Sequence, residues 1–189
     1  MNQKSLIHNN DFQWHLVRDN FLTPEECDSQ IKHIDDKVDL DEFSWGSLHN
    51  CKNVVTEDKD ILDKIWKIAK ISNQLVFKFH IDSIQHSCIK LYPIDNFKDI
   101  NSRLGAGTLF HSDYAAGDGK VVNTTTKMSC VTFLNDEFEG GGLQIWNDKI
   151  EAKKGRMVIF PSFAAHRVLE FDKKDRYTMI TFIKGNTFK

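Results

Sequence analysis

From Ile84 onward the chain is a succession of short β-rich runs separated by turns: Ile84–Tyr92, Thr108–Phe110, Lys127–Leu134, Leu143–Trp146, Arg156–Phe160, His166–Phe171 and Arg176–Ile183. No helical periodicity interrupts them, so the crossovers that parallel strands require have nowhere to form. The predicted arrangement is an antiparallel sandwich or barrel. The earlier part of the chain has a different grammar. Phe12–Val17 alternates as a short strand, and Thr23-Pro24-Glu25-Glu26 combines a capping Thr, Pro at the first helical position and Glu three residues after the cap. This predicts a helix over Pro24–Asp36. Thr56 precedes acidic Glu57, Asp58 and Asp60, with Ile61, Ile65, Ile68, Ser72 and Leu75 at three-to-four spacing behind them. A longer helix is expected there, over about Asp58–Phe77. Helices followed by strands predict an α+β, mainly β, fold in which the helices buttress a sheet.

A length of 189 residues suits one domain. A hydrophobic fraction of 40% with 28% charged residues is that of a packed globular chain and excludes a disordered or low-complexity one. The net charge of −2 offers no general attraction to a phosphate backbone or an anionic membrane, so neither partner is expected. No apolar run approaches the roughly 18 residues of a membrane helix, and Met1–Asn10 lacks the basic-then-apolar order of a secretory signal. A cytoplasmic location is the expectation. Cys27, Cys51, Cys88 and Cys130 are scattered without a C-x-x-C pair and read as reduced, buried thiols.

Metal-ligating spacing is the strongest chemical signal. Eight His and 19 Asp predict roughly 0.8 H-x-D triplets by chance, and the chain has three. In His33-Ile34-Asp35 the two side chains lie about 200° apart on a helix and cannot share one ion. His80-Ile81-Asp82 could project from one strand face, but nothing downstream completes it. His111-Ser112-Asp113 sits at the end of a predicted strand beside a polar, Gly-containing loop, where a chelating pair is held by a rigid edge and still reaches substrate. Two His and one carboxylate on one face of an octahedral ion leave three positions open, the arrangement of non-haem Fe(II) oxygenases. His166, opening a strand after the turn Phe160-Pro161-Ser162, is the candidate third ligand. Gly140-Gly141-Gly142 lacks the Lys-Ser/Thr of a phosphate loop and reads as a tight turn; Lys153, Lys154 and Arg156 read as a solvated face.

Taken in order, Tyr92-Pro93, His111-Ser112-Asp113, Val131-Thr132-Phe133-Leu134-Asn135, Glu139-Gly140-Gly141-Gly142-Leu143, Gly155 through Ser162, His166 and Arg176-Tyr177-Thr178 resemble the 2-oxoglutarate- and Fe(II)-dependent dioxygenases of the prolyl 4-hydroxylase type. Asp19 to Cys27 also resembles the strand-to-helix approach of such domains. The resemblance implies a double-stranded β-helix, or jelly roll, over about residues 84–185, buttressed by helices over about 20–80, in a single dioxygenase domain spanning 1–189. It implies His111, Asp113 and His166 as iron ligands and Arg176, ten positions after the last His, as the partner of the remote carboxylate of 2-oxoglutarate. Thr178 shares a strand face with Arg176 and could add a hydroxyl, and Tyr92 is a further candidate contact. Some members place a Tyr before the Leu-Asn pair for this purpose; here the residue is Phe133, which throws weight onto Thr178 or Tyr92. Fe(II), 2-oxoglutarate and O₂ are the implied cofactor and cosubstrates, with ascorbate as a candidate reductant. The implied reaction hydroxylates an unactivated C–H, first of all in a peptidyl prolyl residue, releasing succinate and CO₂. Alternatives are a hydroxylase of a free amino acid or small metabolite, and a non-catalytic metal-binding jelly roll. The loops Ile94–Gly107 and Tyr114–Thr126 are expected to cover the substrate.

Overall fold

The computed structural model describes residues 14–38, 44–46, 51–94, 108–114 and 124–186. The elements run β1 (Leu16–Arg18), α1 (Pro24–Val38), β2 (Ser44–Gly46), β3 (Cys51–Val55), α2 (Lys59–Ser72), β4 (Ser83–Tyr92), β5 (Thr124–Phe133), β6 (Glu139–Gly140), β7 (Leu143–Ile145), β8 (Asp148–Ile150), β9 (Met157–Pro161), β10 (His166–Val168), β11 (Phe171–Asp172) and β12 (Arg176–Asn186).

Local chemistry starts both helices. At α1, the Glu26 amide donates to the Thr23 hydroxyl at 3.2 Å and the Thr23 amide to the Glu26 carboxylate at 2.9 Å, a reciprocal capping box. At α2 the capping side chain is Asp58, which accepts from the Ile61 amide at 3.1 Å. Thr56, just ahead of the expected start, donates its buried hydroxyl to Gln30 of α1 at 2.9 Å and ties the two helices together. The α-helix stops at Ser72 and continues to Phe77 as a π-helical turn, closed by Lys78 in the left-handed region with its amide bonded to the Asn73 carbonyl.

The strands build one antiparallel seven-stranded sheet in the order β1-β9-β5-β12-β4-β3-β2, with a three-stranded sheet β10-β7-β8 and a two-stranded pair β11-β6. The large sheet buries apolar residues on both faces. Met128, Cys130, Met157, Ile159, Ile89, Leu91 and Met179 pack with Ile61, Ile65 and Ala69 of α2 and Cys27 and Ile34 of α1. The alternating residues Val131, Phe133, Val158 and Phe160 pack on the opposite face with Leu143, Ile145 and Ile150 of the smaller sheet. This is the jelly roll with its helical buttress. Among the described residues no helix is long and apolar enough to cross a membrane, and all four cysteines are buried and unbridged.

The strand expectations hold for β4, β5, β7, β9 and β12 within a few residues. Two do not. Thr108–Phe110 forms no strand: among the described residues it reaches β10 through the Thr108 amide on the Val168 carbonyl, the Val168 amide on the Thr108 hydroxyl and the neighbouring bridge at His111. His166–Phe171 divides into β10, paired with β7, and β11, paired with β6, with the register carried between them by the Leu169 amide on the Gly142 carbonyl and the Gly141 amide on the Glu170 carbonyl. The expected substrate-covering loops lie outside the described residues except at their ends.

Gly155 fastens the approach to α1 onto the large sheet. Its carbonyl accepts from the Phe21 and Leu22 amides at 2.8 and 3.2 Å, and its amide donates to the Phe133 carbonyl at 2.8 Å. It has φ +77°, and a Cβ there would stand 2.3 Å from the Leu22 carbonyl oxygen. Gly155→Ala should therefore lower the unfolding free energy by on the order of 1–3 kcal/mol, read as a lower denaturant midpoint with unchanged m-value.

Candidate metal centre

Three segments distant in sequence converge at one end of the jelly roll. His111 and His166 exchange backbone hydrogen bonds, amide to carbonyl in both directions, at 3.0 and 2.9 Å. The Asp113 and Tyr114 amides both donate to the Ser162 carbonyl, at 2.8 and 3.0 Å. These contacts anchor the H-x-D segment on the turn between β9 and β10. The result brings one donor atom each from His111, Asp113 and His166 within 4.8 Å of one another, close enough to hold a metal ion. His166 Nε2 lies 3.3 Å from Asp113 Oδ2, and His111 Nε2 lies 3.9 Å from Asp113 Oδ1.

The same geometry fixes which nitrogen faces inward. His111 Nδ1 is 2.9 Å from the Leu109 carbonyl and His166 Nδ1 is 2.9 Å from the Ala164 carbonyl. A carbonyl oxygen can only accept, so each Nδ1 carries its proton outward and leaves the Nε2 lone pair toward the centre. The Ser129 hydroxyl donates to Asp113 Oδ2 at 2.7 Å. Burial pushes the His111 imidazole below its ordinary pKa. Burial would raise the Asp113 carboxyl, but its interactions with His166, Ser129 and His111 outweigh this and hold it below the usual carboxylate range. A neutral His111 and an ionised Asp113 are the protonation states that ligate a divalent ion.

All six residues singled out in the sequence line one pocket: Tyr92, His111, Asp113, His166, Arg176 and Thr178. Arg176 is 1% exposed. Its Nε donates to the Gly141 carbonyl at 2.8 Å, whereas neither terminal guanidinium nitrogen has a hydrogen-bond partner among the described residues. The Thr178 hydroxyl, fully buried, is also without a partner among them. Desolvation lowers the Arg176 pKa and the neighbouring Tyr92 opposes the change; a guanidinium nevertheless remains charged. Tyr92 is directly opposite Arg176 across the β4–β12 ladder, with its ring centroid 5.0 Å from the guanidinium carbon, and burial raises its phenol so that it remains protonated. A buried cation with two unsatisfied donors, beside a buried free hydroxyl, is costly unless the pocket receives an anion. A carboxylate-bearing ligand on one side and a divalent metal on the His-Asp-His side fit this donor set.

The two rejected H-x-D pairs have structural roles. His33 Nε2 meets the Val55 carbonyl, Asp35 accepts from the Tyr177 hydroxyl, and His80 pairs with Asp82 on the approach to β4. Lys153 and Arg156 bind Asp19, and Lys154 binds Asp28, so the basic run clasps the N-terminal elements. Three functional residues escaped the sequence reading. Gly141 belongs to the turn but anchors Arg176, Ser129 reads as ordinary strand alternation, and Lys90 lines the pocket. The available signal for Lys90 was its position two residues before Tyr92, on the same strand face. Burial alone would lower the Lys90 pKa, yet Tyr92 foremost among its neighbours, with Asp113 also contributing, holds it above its usual value.

Ser129→Ala should leave the fold intact while removing the hydrogen bond that orients Asp113. Divalent-metal affinity is expected to fall about tenfold, measured by competition with a chromogenic chelator.

Residues 99–184 match the model of the 2OG-Fe(II) oxygenase superfamily. A sequence comparison with curated proteins finds no match. Among solved structures, the chain is similar to a viral collagen prolyl hydroxylase of Paramecium bursaria Chlorella virus-1 in its 2-oxoglutarate complex, at 17% identity and TM-score 0.68, covering 94% of this chain and 98% of that one. It is also similar to a prolyl-4-hydroxylase of Pseudomonas putida, at 16% identity and TM-score 0.71, covering 92% and 94%. A prolyl hydroxylase of Trichoplax adhaerens, in complex with a hypoxia inducible factor oxygen degradation domain peptide fragment, aligns at 15% identity and TM-score 0.59 over 90% of this chain and 83% of that one. The superfamily match falls on the segment that contains the His-Asp-His cluster and the buried Arg176, within a fold similar to that of the prolyl hydroxylases, and together these support a 2-oxoglutarate-dependent dioxygenase using Fe(II) and O₂.

Proposed function

We propose that the chain hydroxylates an unactivated C–H of a peptide substrate, a prolyl residue in first place, within a single catalytic domain. The observation that carries the reading is Arg176: a guanidinium buried to 1% exposure whose terminal nitrogens lack partners among the described residues, in the same pocket as His111, Asp113 and His166. In this reading those three residues hold Fe(II), and Arg176 with Thr178 takes the remote carboxylate of 2-oxoglutarate. Tyr92 donates a further hydrogen bond from its protonated phenol. Bound Fe(II), with 2-oxoglutarate and O₂, supplies the oxidising power for C–H hydroxylation as the cosubstrate is converted to succinate and CO₂.

The chain's own task is placement. The Nδ1 tethers to Leu109 and Ala164 keep both imidazoles aimed at the centre, and the Ser129 hydroxyl keeps one Asp113 oxygen turned toward them. Val131, Leu143, Val168 and Ile180 line the same pocket and exclude water from between the cosubstrate and the metal side. A peptide substrate is supported by the mouth of the site. Leu109, Phe110, Tyr114 and Phe163 are exposed apolar or aromatic side chains within three residues of a ligand, and Trp146 is held beside them by its amide on the Ala165 carbonyl. The Trichoplax enzyme of the same fold was solved with a peptide fragment.

The test is an anaerobic titration of metal-free protein with Fe(II) and then 2-oxoglutarate, following the visible charge-transfer band of the chelated cosubstrate. The band should form in the wild type and vanish in His111→Ala and His166→Ala; its absence from folded wild-type protein would overturn the reading. Proline-containing peptides incubated aerobically should gain one oxygen by mass spectrometry, whereas oxygen gained only by free amino acids would move the substrate to the small-molecule class. Arg176→Lys keeps the charge and loses the planar fork, so 2-oxoglutarate binding should weaken by about 1–3 kcal/mol in the same titration with Fe(II) affinity retained.

A further inference from the structure

Arg176 is not the pocket's only cation. Lys90 of β4 lies directly opposite Thr178 of β12, and Thr178 lies directly opposite Phe133 of β5, so the three residues form one row across adjacent strands. The next row along the same face places Tyr92 opposite Arg176. Directly opposed residues in antiparallel strands carry their Cβ atoms about 4.5–5.5 Å apart, and diagonal neighbours remain within reach of long side chains. Lys90 therefore faces the Thr178 hydroxyl, without a partner among the described residues, across one strand gap and Arg176 across the diagonal, and all three line the pocket.

Phe133, the third member of the Thr178 row, has no polar atom. Its ring instead packs 5.5 Å from the Arg176 guanidinium carbon, so polar contact in this row falls to Thr178 and Lys90. Two like charges at diagonal positions in a largely dehydrated pocket repel each other unless an anion lies between them. Asp113 is the pocket's one carboxylate among its described lining residues, and it is turned toward His111 and His166 and bonded to Ser129. Among the described lining residues no further carboxylate is left for Arg176, and a ligand's carboxylate between Arg176 and Lys90 would offset the charge of both.

Building on the cosubstrate reading above, we propose that Lys90 is a second cationic contact for the remote carboxylate of 2-oxoglutarate, which it grips together with Arg176 and Thr178. The arrangement divides the work. Arg176 approaches from the Gly141 side, fixed by its Nε hydrogen bond, and Lys90 approaches from β4 as a mobile point charge on the other side of Thr178. A cosubstrate lacking the remote carboxylate would leave two cations facing each other, so the pair selects for a dicarboxylate.

The experiment compares wild type, Lys90→Met and Lys90→Gln as Fe(II)-loaded protein under anaerobic conditions. Each is titrated with 2-oxoglutarate and with 2-oxopentanoate, which keeps the keto acid end and chain length but lacks the remote carboxylate. Both variants should raise the Kd for 2-oxoglutarate about tenfold while leaving that for 2-oxopentanoate unchanged. An unchanged 2-oxoglutarate affinity in both variants, including the case where only the hydroxylated substrate binds more weakly, would overturn the proposal. So would a parallel loss for both keto acids, which would place Lys90 at the metal-chelating end. Wild-type protein that binds neither keto acid would refute the cosubstrate reading itself, a result distinct from either failure of Lys90.

Discussion

The reciprocal backbone hydrogen bonds between His111 and His166 are the interaction on which the site depends. They close the jelly roll where no extended ladder does so, since Thr108–Phe110 forms no strand. By joining two segments 55 residues apart, they place both imidazoles on one side of Asp113. Ser162 extends the same clasp. Its carbonyl takes the Asp113 and Tyr114 amides, while its own amide donates to the Lys127 carbonyl of β5. The donor cluster is thus tied by main-chain bonds to a central strand of the large sheet, and side-chain substitutions around it leave those bonds available.

The large sheet allows this because its two faces are both buried yet chemically different. One face of β5 offers Met128 and Cys130 to the helices, and the other offers Ser129, Val131 and Phe133 to the pocket side. The same alternation on β4 sends Ile89 and Leu91 to the helices and Lys90 and Tyr92 to the pocket. Helix packing therefore fixes the strands from behind, and the pocket can carry buried polar groups whose cost is met by ligand binding. An isolated sheet with a hydrated back would lack that rigid support.

Much of this architecture is legible in the residues. The Thr23-Pro24-Glu25-Glu26 run announces its capping box, the five main strands announce themselves by β-rich composition, and position at a predicted strand end distinguishes His111-Ser112-Asp113 from two sequence-equivalent triplets. Other elements are set only by tertiary pairing. Cys51–Val55 contains Lys52 and Asn53 and becomes a strand because β4 offers it an edge, in a region whose local pattern otherwise reads as helix-rich. The two- and three-residue strands β6 and β8 are too short for any periodicity to register. Ser129 and Gly141 act through single hydrogen bonds, one to a carboxylate and one from an arginine, which no sequence pattern encodes.

Each imidazole is oriented by a carbonyl only two residues earlier in its own chain: Leu109 for His111 and Ala164 for His166. Ring direction is therefore written into two tripeptides rather than distributed across the barrel. The rest of the fold has only to bring those tripeptides side by side. Such a centre is modular: neighbouring loops can lengthen, shorten or change composition without redirecting the rings, leaving the surrounding surface free to diversify toward new substrates around an unaltered core of chemistry.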